Sequence, residues 1–460
     1  MNRYNYAMKG VAGVYSERDA SRKGLYLLYG VQHRGQEGAG LTAASDHSLR
    51  TWSGRGLVSN IFEKRFRSWI HPDDYLAIGC TSGDGRKDDA FPPFEVEGDG
   101  YQLSLALDGL MLGGEAEAEL AGILKDYLES MSLEEAMTKF MREHLNAFYS
   151  LVMAYHDIEE EESKLLAARD PRGVRPLYLV HNDREVYIAS ESAAIEVLAN
   201  IGDELKEQRD IKPGTLLIKG PDGLVERQVL EPRPAHCAFE WVYFGRPDSV
   251  IEDRTVHMAR KRLGHALVDT HNLVERYSSE REELTVIPVP DSGRSVCTGV
   301  SEALGCPSDE GVIKNAYMGR TYLIDDPQFR KTASDLKHNI VKDVVKDKKV
   351  IITDDSIVRG TVSESIAKNL IRSGAKEVEF LVSYAPILYP CFSDAKNKTL
   401  AAAPYGNRSL GEIGDLVAEN LPSINKVLYN TTENIVKAIG LPKDHICTYC
   451  ITGVNPFEEK

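Results

Sequence analysis

Positive charge is in short supply: 55 Lys and Arg face 70 Asp and Glu, a formal net charge of −15 over 460 residues. That balance argues against a sequence-blind nucleic-acid binder, which needs net basic surface. No apolar stretch reaches the ~18 residues needed to cross a bilayer, and Met1–Tyr6 holds no signal-peptide hydrophobic region. A membrane partner is therefore not expected. Cysteine is sparse and uneven: Cys80, Cys237, Cys297, Cys306, Cys391, Cys447 and Cys450, with none before Cys80. Seven in a chain of this size exclude a disulfide scaffold and fit a reducing cytosol, so a cytoplasmic location is expected. Repeats and low-complexity tracts are missing too. The acidic run Glu159–Glu162 reads as the charged turn of a hairpin between Tyr149–Tyr155 and Leu165–Ala168.

What is present is a 42% apolar chain, ample for globular cores and long enough for roughly two to four domains. Residues 10–230 read as many short strands with few helices. Leu216–Ile218 and Leu224–Val229 flank Gly220-Pro221-Asp222-Gly223, a hairpin signal. Helices are predicted at Ala116–Ser130 and Leu133–His144, the second led by Ser132 with Glu135 three residues on. Past Glu231-Pro232-Arg233-Pro234 the texture changes. Compact apolar strands at Thr285–Val289, Gly311–Ile313, Val350–Thr353 and Val378–Ser383 alternate with helices such as Ser363–Arg372, which Gly374 stops. Alternation of this kind predicts βαβ units and a parallel sheet. The boundary falls near residue 230, giving domains at 9–230 and 231–460.

The most informative stretch runs from Val350 to Val362: VIITDDSIVRGTV. A buried strand leads into two adjacent carboxylates, and a Ser/Gly/Thr loop then opens a helix. Backbone N–H groups of such a loop and helix start can hold a phosphate, and Gly360 permits close approach. Asp354 and Asp355 can bind ribose hydroxyls or a Mg²⁺-linked site at the strand's carboxyl end. Two acids alone are more often just solvated. The whole thirteen-residue pattern, however, resembles the phosphoribosylpyrophosphate (PRPP) motif of type I phosphoribosyltransferases. That resemblance implies catalytic roles for Asp354, Asp355, Arg330 and Lys337, and PRPP binding by Ser356, Val358, Arg359, Gly360 and Thr361. Upstream, another strand feeds the Ser/Gly turn Asp291-Ser292-Gly293-Arg294, suited to grip pyrophosphate. Mg²⁺ is expected near Ser292, Asp354 and Asp355. Lys314–Tyr322, then Arg330 and Lys337, supply cations for a doubly phosphorylated substrate, the last two on an expected lid.

The resemblance then sharpens. Cys237–Ser249 (CAFEWVYFGRPDS), Gln32–Gly40 (QHRGQEGAG) and Arg169–Leu177 (RDPRGVRPL) match glutamine PRPP amidotransferases, and the likeness runs from about Gly10 to the C-terminus. Membership in that family implies an αββα sandwich of the N-terminal nucleophile hydrolase type, followed by a type I phosphoribosyltransferase domain with a parallel sheet. The pair Cys447-x-x-Cys450 alone is open to zinc, redox chemistry or neither. The resemblance adds Cys237 and Cys391 and implies a 4Fe–4S cluster held by the four; Cys80, Cys297 and Cys306 are expected to be buried apolar residues.

The first half departs from the family. A hydrolase of this type attacks through its first mature residue, using the free α-amine as base. The family's Cys-Gly-Val start is Lys9-Gly10-Val11 here, and no Cys, Ser or Thr precedes Ser16 to take its place. The substrate-binding arginine is missing from Cys80–Gly85. The oxyanion segment reads Asp108-Gly109-Leu110, with a carboxylate where negative charge would develop. A Ser-Asp-Thr segment is deleted near Met131. The expectation is a transferase that joins the phosphoribosyl group of PRPP to ammonia or another small amine, without glutaminase activity. A separate ammonia-supplying subunit and a homo-oligomer are possible partners, and a non-catalytic PRPP-binding regulator is the alternative.

Overall fold

The computed structural model describes residues 8–45, 48–63, 66–83, 91–111, 117–199, 207–315, 338–391 and 399–458. Two antiparallel sheets carry the first half. One runs Glu207–Asp210, Tyr178–His181, Val186–Ala189, Lys9–Tyr15, Leu76–Ser82, Gly38–Ser45, Ser48–Arg55. The other runs Gly223–Gln228, Thr215–Gly220, Glu162–Arg169, Ala147–Asp157, Tyr101–Met111, Phe94–Gly98. Side chains alternate across a strand, so each central strand feeds two cores. Val11, Ile78 and Cys80 meet Ala106, Val152, Ala167 and Leu217 between the sheets. The opposite faces are covered by helices: Ala20–Gly30 and Ser192–Ala199 on the first sheet, Glu117–Leu128 and Leu133–Glu143 on the second. This is the expected αββα sandwich. The expected capping box is also present, with the Ser132 hydroxyl accepting from Glu135 N and the Glu135 carboxylate accepting from Ser132 N.

From His236 onward the frame is a four-stranded parallel sheet, Leu284–Pro288, Lys349–Asp354, Glu377–Val382, Lys426–Tyr429. It is buried on both faces, as parallel sheets are. Val350 and Ile352 pack with Ile366, Leu370 and Val417 on one side, and Ile351 packs with Leu267, Val296 and Val300 on the other. Lys426–Tyr429 escaped the sequence reading. The expectation for Gly311–Ile313 also needs correction: Val312–Lys314 pairs antiparallel with His338–Ile340 in a separate ribbon. Only Val312 of that strand is buried, too little apolar surface for a place inside a two-sided sheet.

Candidate active site

The strand Lys349–Asp354 is buried along its apolar length and delivers Asp354 and Asp355 to its carboxyl end. Asp354 Oδ1 accepts from Asp355 N at 2.9 Å and from the Ser292 hydroxyl at 3.4 Å, while the Ser356 hydroxyl donates to Asp355 Oδ2 at 2.6 Å. Burial first, then the neighbouring charge of Asp355, pushes the Asp354 carboxyl well above the ordinary carboxylate range. The Asp291–Arg294 turn is drawn close by backbone fit. A Cβ on Gly293 would lie 2.2 Å from the Thr353 carbonyl, so a side chain there would force the two strand ends apart. Gly360 has φ 80° and caps the helix Thr361–Arg372, and a Cβ there would meet Leu421 at 2.8 Å. Both glycines answer a geometric need.

The predicted phosphate cations are distributed less simply. Lys314 Nζ lies 3.0 Å from Asp291 Oδ2, and Arg294 pairs with Glu310 at 3.3 Å, both on exposed side chains. Arg330 and Lys337 lie outside the described residues. The expected site residues Asp291–Arg294 and Asp354–Thr361 thus share one end of the sheet, the usual ligand end of an open α/β sheet.

Lys9, expected at the first half's nucleophile position, has different surroundings. Lys9 is 6% exposed and its nitrogen is a peptide N–H, which donates to Asp108 Oδ1 at 3.3 Å. Arg34, wholly buried, donates to Asp108 at 3.2 Å, to Glu191 at 2.8 Å, to both oxygens of Glu240 at 2.9 Å and to the Lys9 carbonyl at 3.1 Å. Burial opposes the Arg34 charge, but Glu240, Asp108 and Glu191 outweigh it and hold its pKa up. Glu191 also takes His33 at 2.7 Å, Arg246 N at 2.8 Å and the Ser249 hydroxyl at 2.6 Å. Against burial, His33, Arg34 and Ser249 pull that carboxyl far below its usual range. Arg175 donates to Glu240 at 2.8 Å. Sequence reasoning did not name this network, but retention of the Gln32–Gly40 and Arg169–Leu177 stretches reads as a constraint of fold and domain contact, and they supply Arg34, Glu37, Arg169 and Arg175 as buried charges.

The four expected cluster cysteines come from distant segments. His236–Cys237 pairs in parallel with Ile446–Cys447, placing Cys237 beside Cys447. The Cys450 carbonyl accepts from Leu388 and Tyr389 N–H at 2.9 and 3.0 Å, which brings in the segment leading to Cys391. The Cys450 sulfur lies 3.2 Å from the Tyr384 hydroxyl. Burial, followed by mutual repulsion that includes Cys391, pushes the Cys450 thiol up to about 12 and Cys237 well up. Among the described residues, no three His, Cys, Asp or Glu converge tightly enough to hold a single ion. Cys80, Cys297 and Cys306 are core residues, as expected.

A sandwich of the amidotransferase type, joined to a parallel sheet that ends in a glycine turn and paired acids, defines a two-part protein of the phosphoribosyltransferase class. Comparison with known proteins agrees. A glutamine amidotransferase domain model matches residues 125–197. The amidophosphoribosyltransferase of Methanocaldococcus jannaschii is 31% identical over 98% of both chains. The Bacillus subtilis enzyme of that name is 31% identical over 98% of this chain and 94% of its own. The solved Bacillus subtilis glutamine PRPP amidotransferase, complexed with ADP and GMP, superposes with TM-score 0.82 at 28% identity, over 97% of each chain. This chain belongs to the amidophosphoribosyltransferase family, whose members are glycosyltransferases. Among the described residues no helix is long and apolar enough to cross a membrane.

Proposed function

We propose that this chain transfers the phosphoribosyl group of PRPP to ammonia and has no glutaminase activity of its own. The product would be 5-phosphoribosylamine, an intermediate of purine synthesis. The observation that carries the reading is the bonding around Lys9. A peptide nitrogen stands where the chemistry needs a free amine, and the facing Asp108 is tied into the buried Arg34 network. At the other site, the Asp354–Asp355 pair and the Ser292 turn keep the form that PRPP transfer needs. Ammonia attacks C1 of the ribose, the C1–oxygen bond breaks, pyrophosphate leaves with the bonding electrons, and the new amine sheds a proton.

In this reading Asp354 and Asp355 orient the ribose, Ser356 and Val358–Thr361 anchor the 5′-phosphate through the loop and helix start, and Asp291–Arg294 faces the pyrophosphate. Arg330 and Lys337 are assigned to close over it. Mg²⁺ fits here because buried, mutually repelling acids beside a hydroxyl are relieved by a hard cation. When bound, it would neutralise charge developing on pyrophosphate. Cys237, Cys391, Cys447 and Cys450 fit a 4Fe–4S cluster. Supporting it, the Cys237 and Cys450 thiols each feel the charges of Cys391 and Cys447, and Cys237 pairs beside Cys447. The cluster would tie the C-terminal segment to the junction. Domains at 9–230 and 231–460, a cytoplasmic location and a homo-oligomer complete the proposal, with ammonia free or delivered by a separate subunit.

The test follows pyrophosphate release from PRPP and Mg²⁺ by anaerobically purified protein, with ammonium, glutamine or no amine. Release stimulated by ammonium alone supports the reading. Turnover on glutamine overturns the loss of glutaminase, and tight PRPP binding with no release under any condition favours a regulatory protein.

A further inference from the structure

Asp355 stands one residue beyond the strand Lys349–Asp354, where pairing with the neighbouring strand Glu377–Val382 has ended. Its backbone is held instead by the two residues that follow that neighbour. The Ser383 N–H donates to the Asp354 carbonyl at 2.9 Å, and the Tyr384 N–H donates to the Asp355 carbonyl at 2.9 Å. The Ser383 hydroxyl donates to the same Asp355 carbonyl at 3.4 Å. The peptide that carries both acids therefore takes its position from Ser383 and Tyr384.

Tyr384 is wholly buried, and its side chain reaches a second group. Its hydroxyl lies 3.2 Å from the Cys450 sulfur, and its ring meets the Phe239 ring edge-on at 5.0 Å. Further along, the Leu388 and Tyr389 N–H groups donate to the Cys450 carbonyl at 2.9 and 3.0 Å. Pro386 and Pro390 stand in this stretch and fix φ at their positions. The segment is thus bonded to the acids at one end and to Cys450 at the other, with little freedom to absorb a shift between them.

We propose that Tyr384 is a positioning residue for PRPP binding: its N–H holds the Asp355 backbone, and its hydroxyl makes that hold depend on Cys450. The inference rests on the reading of Asp354 and Asp355 as the acids that orient the ribose. A tyrosine hydroxyl can donate to a sulfur that has no proton of its own, as a thiolate or as a ligand of iron. Loss of that sulfur leaves a buried hydroxyl without its partner and loosens the residue that fixes the acids.

The experiment uses the full chain, purified anaerobically as wild type, Tyr384→Phe, Cys450→Ala and the double variant. PRPP affinity with Mg²⁺ is measured by calorimetry, alongside iron and sulfide per chain and the thermal midpoint. Tyr384→Phe keeps the ring and loses the hydroxyl. It should weaken PRPP binding roughly two- to tenfold, the worth of one hydrogen bond, with iron per chain near wild type. Cys450→Ala should weaken binding at least as much, and adding Tyr384→Phe to it should cost nothing more, because the contact is already gone. A merely structural tyrosine lowers the thermal midpoint and leaves affinity unchanged, which overturns the inference; so do losses that add in the double variant. If Cys450→Ala does not fold, the affinity of Tyr384→Phe decides alone. Wild type that binds PRPP without iron and sulfide overturns the cluster reading, and the affinity cycle still decides this inference. Wild type that does not bind PRPP overturns the functional reading and this inference with it.

Discussion

Asp354 and Glu191 are both buried carboxylates, one in each half, and they lean in opposite directions. Asp354 faces a second acid, no described cation bonds it, and its carboxyl is pushed up. Glu191 collects His33, Arg34, a hydroxyl and a backbone N–H, and its carboxyl is pulled down. A buried acid left uncomfortable is the mark of a site awaiting a ligand; a buried acid saturated with donors is architecture. The same chain thus holds an under-bonded buried acid in one half and a fully bonded one in the other. Around Lys9, the position proposed to have lost its nucleophile, buried charges from both halves are bonded to one another.

The largest effect should come from breaking the bonded network around Arg34. Arg34→Met strands Asp108, Glu191 and Glu240 together, and removing one partner of a buried ion pair costs ~3–5 kcal/mol. Denaturant unfolding should show it, and a loss below 1 kcal/mol would mean the network is not structural. Next in size, Asp354→Asn should cut ammonium-dependent pyrophosphate release about 10²–10³-fold, the range for loss of a preorganised electrostatic group.

That variant also tests the comparison through pH. The raised carboxyl of Asp354 means the folded state holds its proton longer, so its ionisation lowers stability as pH rises above the ordinary 3.8. Asp354→Asn should therefore gain stability over wild type toward neutral pH and lose that gain in acid. Glu191 has the opposite sign. Its depressed carboxyl contributes stability present above the ordinary 4.5, which is lost as pH falls below that value. Glu191→Gln should narrow the gap to wild type in acid, read by thermal unfolding against pH.

A smaller effect serves as control. Ser132→Ala removes a cap in the first half without touching the network and should cost ~0.5–2 kcal/mol while leaving pyrophosphate release unchanged. Smallest of all, Lys9→Cys should restore no glutamine hydrolysis. The nitrogen of the new cysteine would still be a peptide N–H bonded to Asp108, so measurable glutamate release would break the comparison.

The strand end that carries Asp354 and Asp355 was legible because its signal is local: an apolar strand, two acids and a glycine turn within thirteen positions. The bonded network around Arg34 was not, because Arg34 meets Glu240 from 206 positions away, and nothing in either neighbourhood names the other. Retained segments with no remaining chemistry were the only trace. The nearness of Cys237 to Cys447 could be expected through resemblance alone, since their pairing is a product of the fold. The strand at Val312 misled because a short apolar run carries no information on which sheet takes it.

The two-residue pairing of His236–Cys237 with Ile446–Cys447 closes the second half into a ring of on the order of 200 residues, and ring closure cost grows only slowly with length. A ring has no loose end to fray from. A single backbone cut inside it should therefore leave both fragments associated under native conditions and separable only on unfolding.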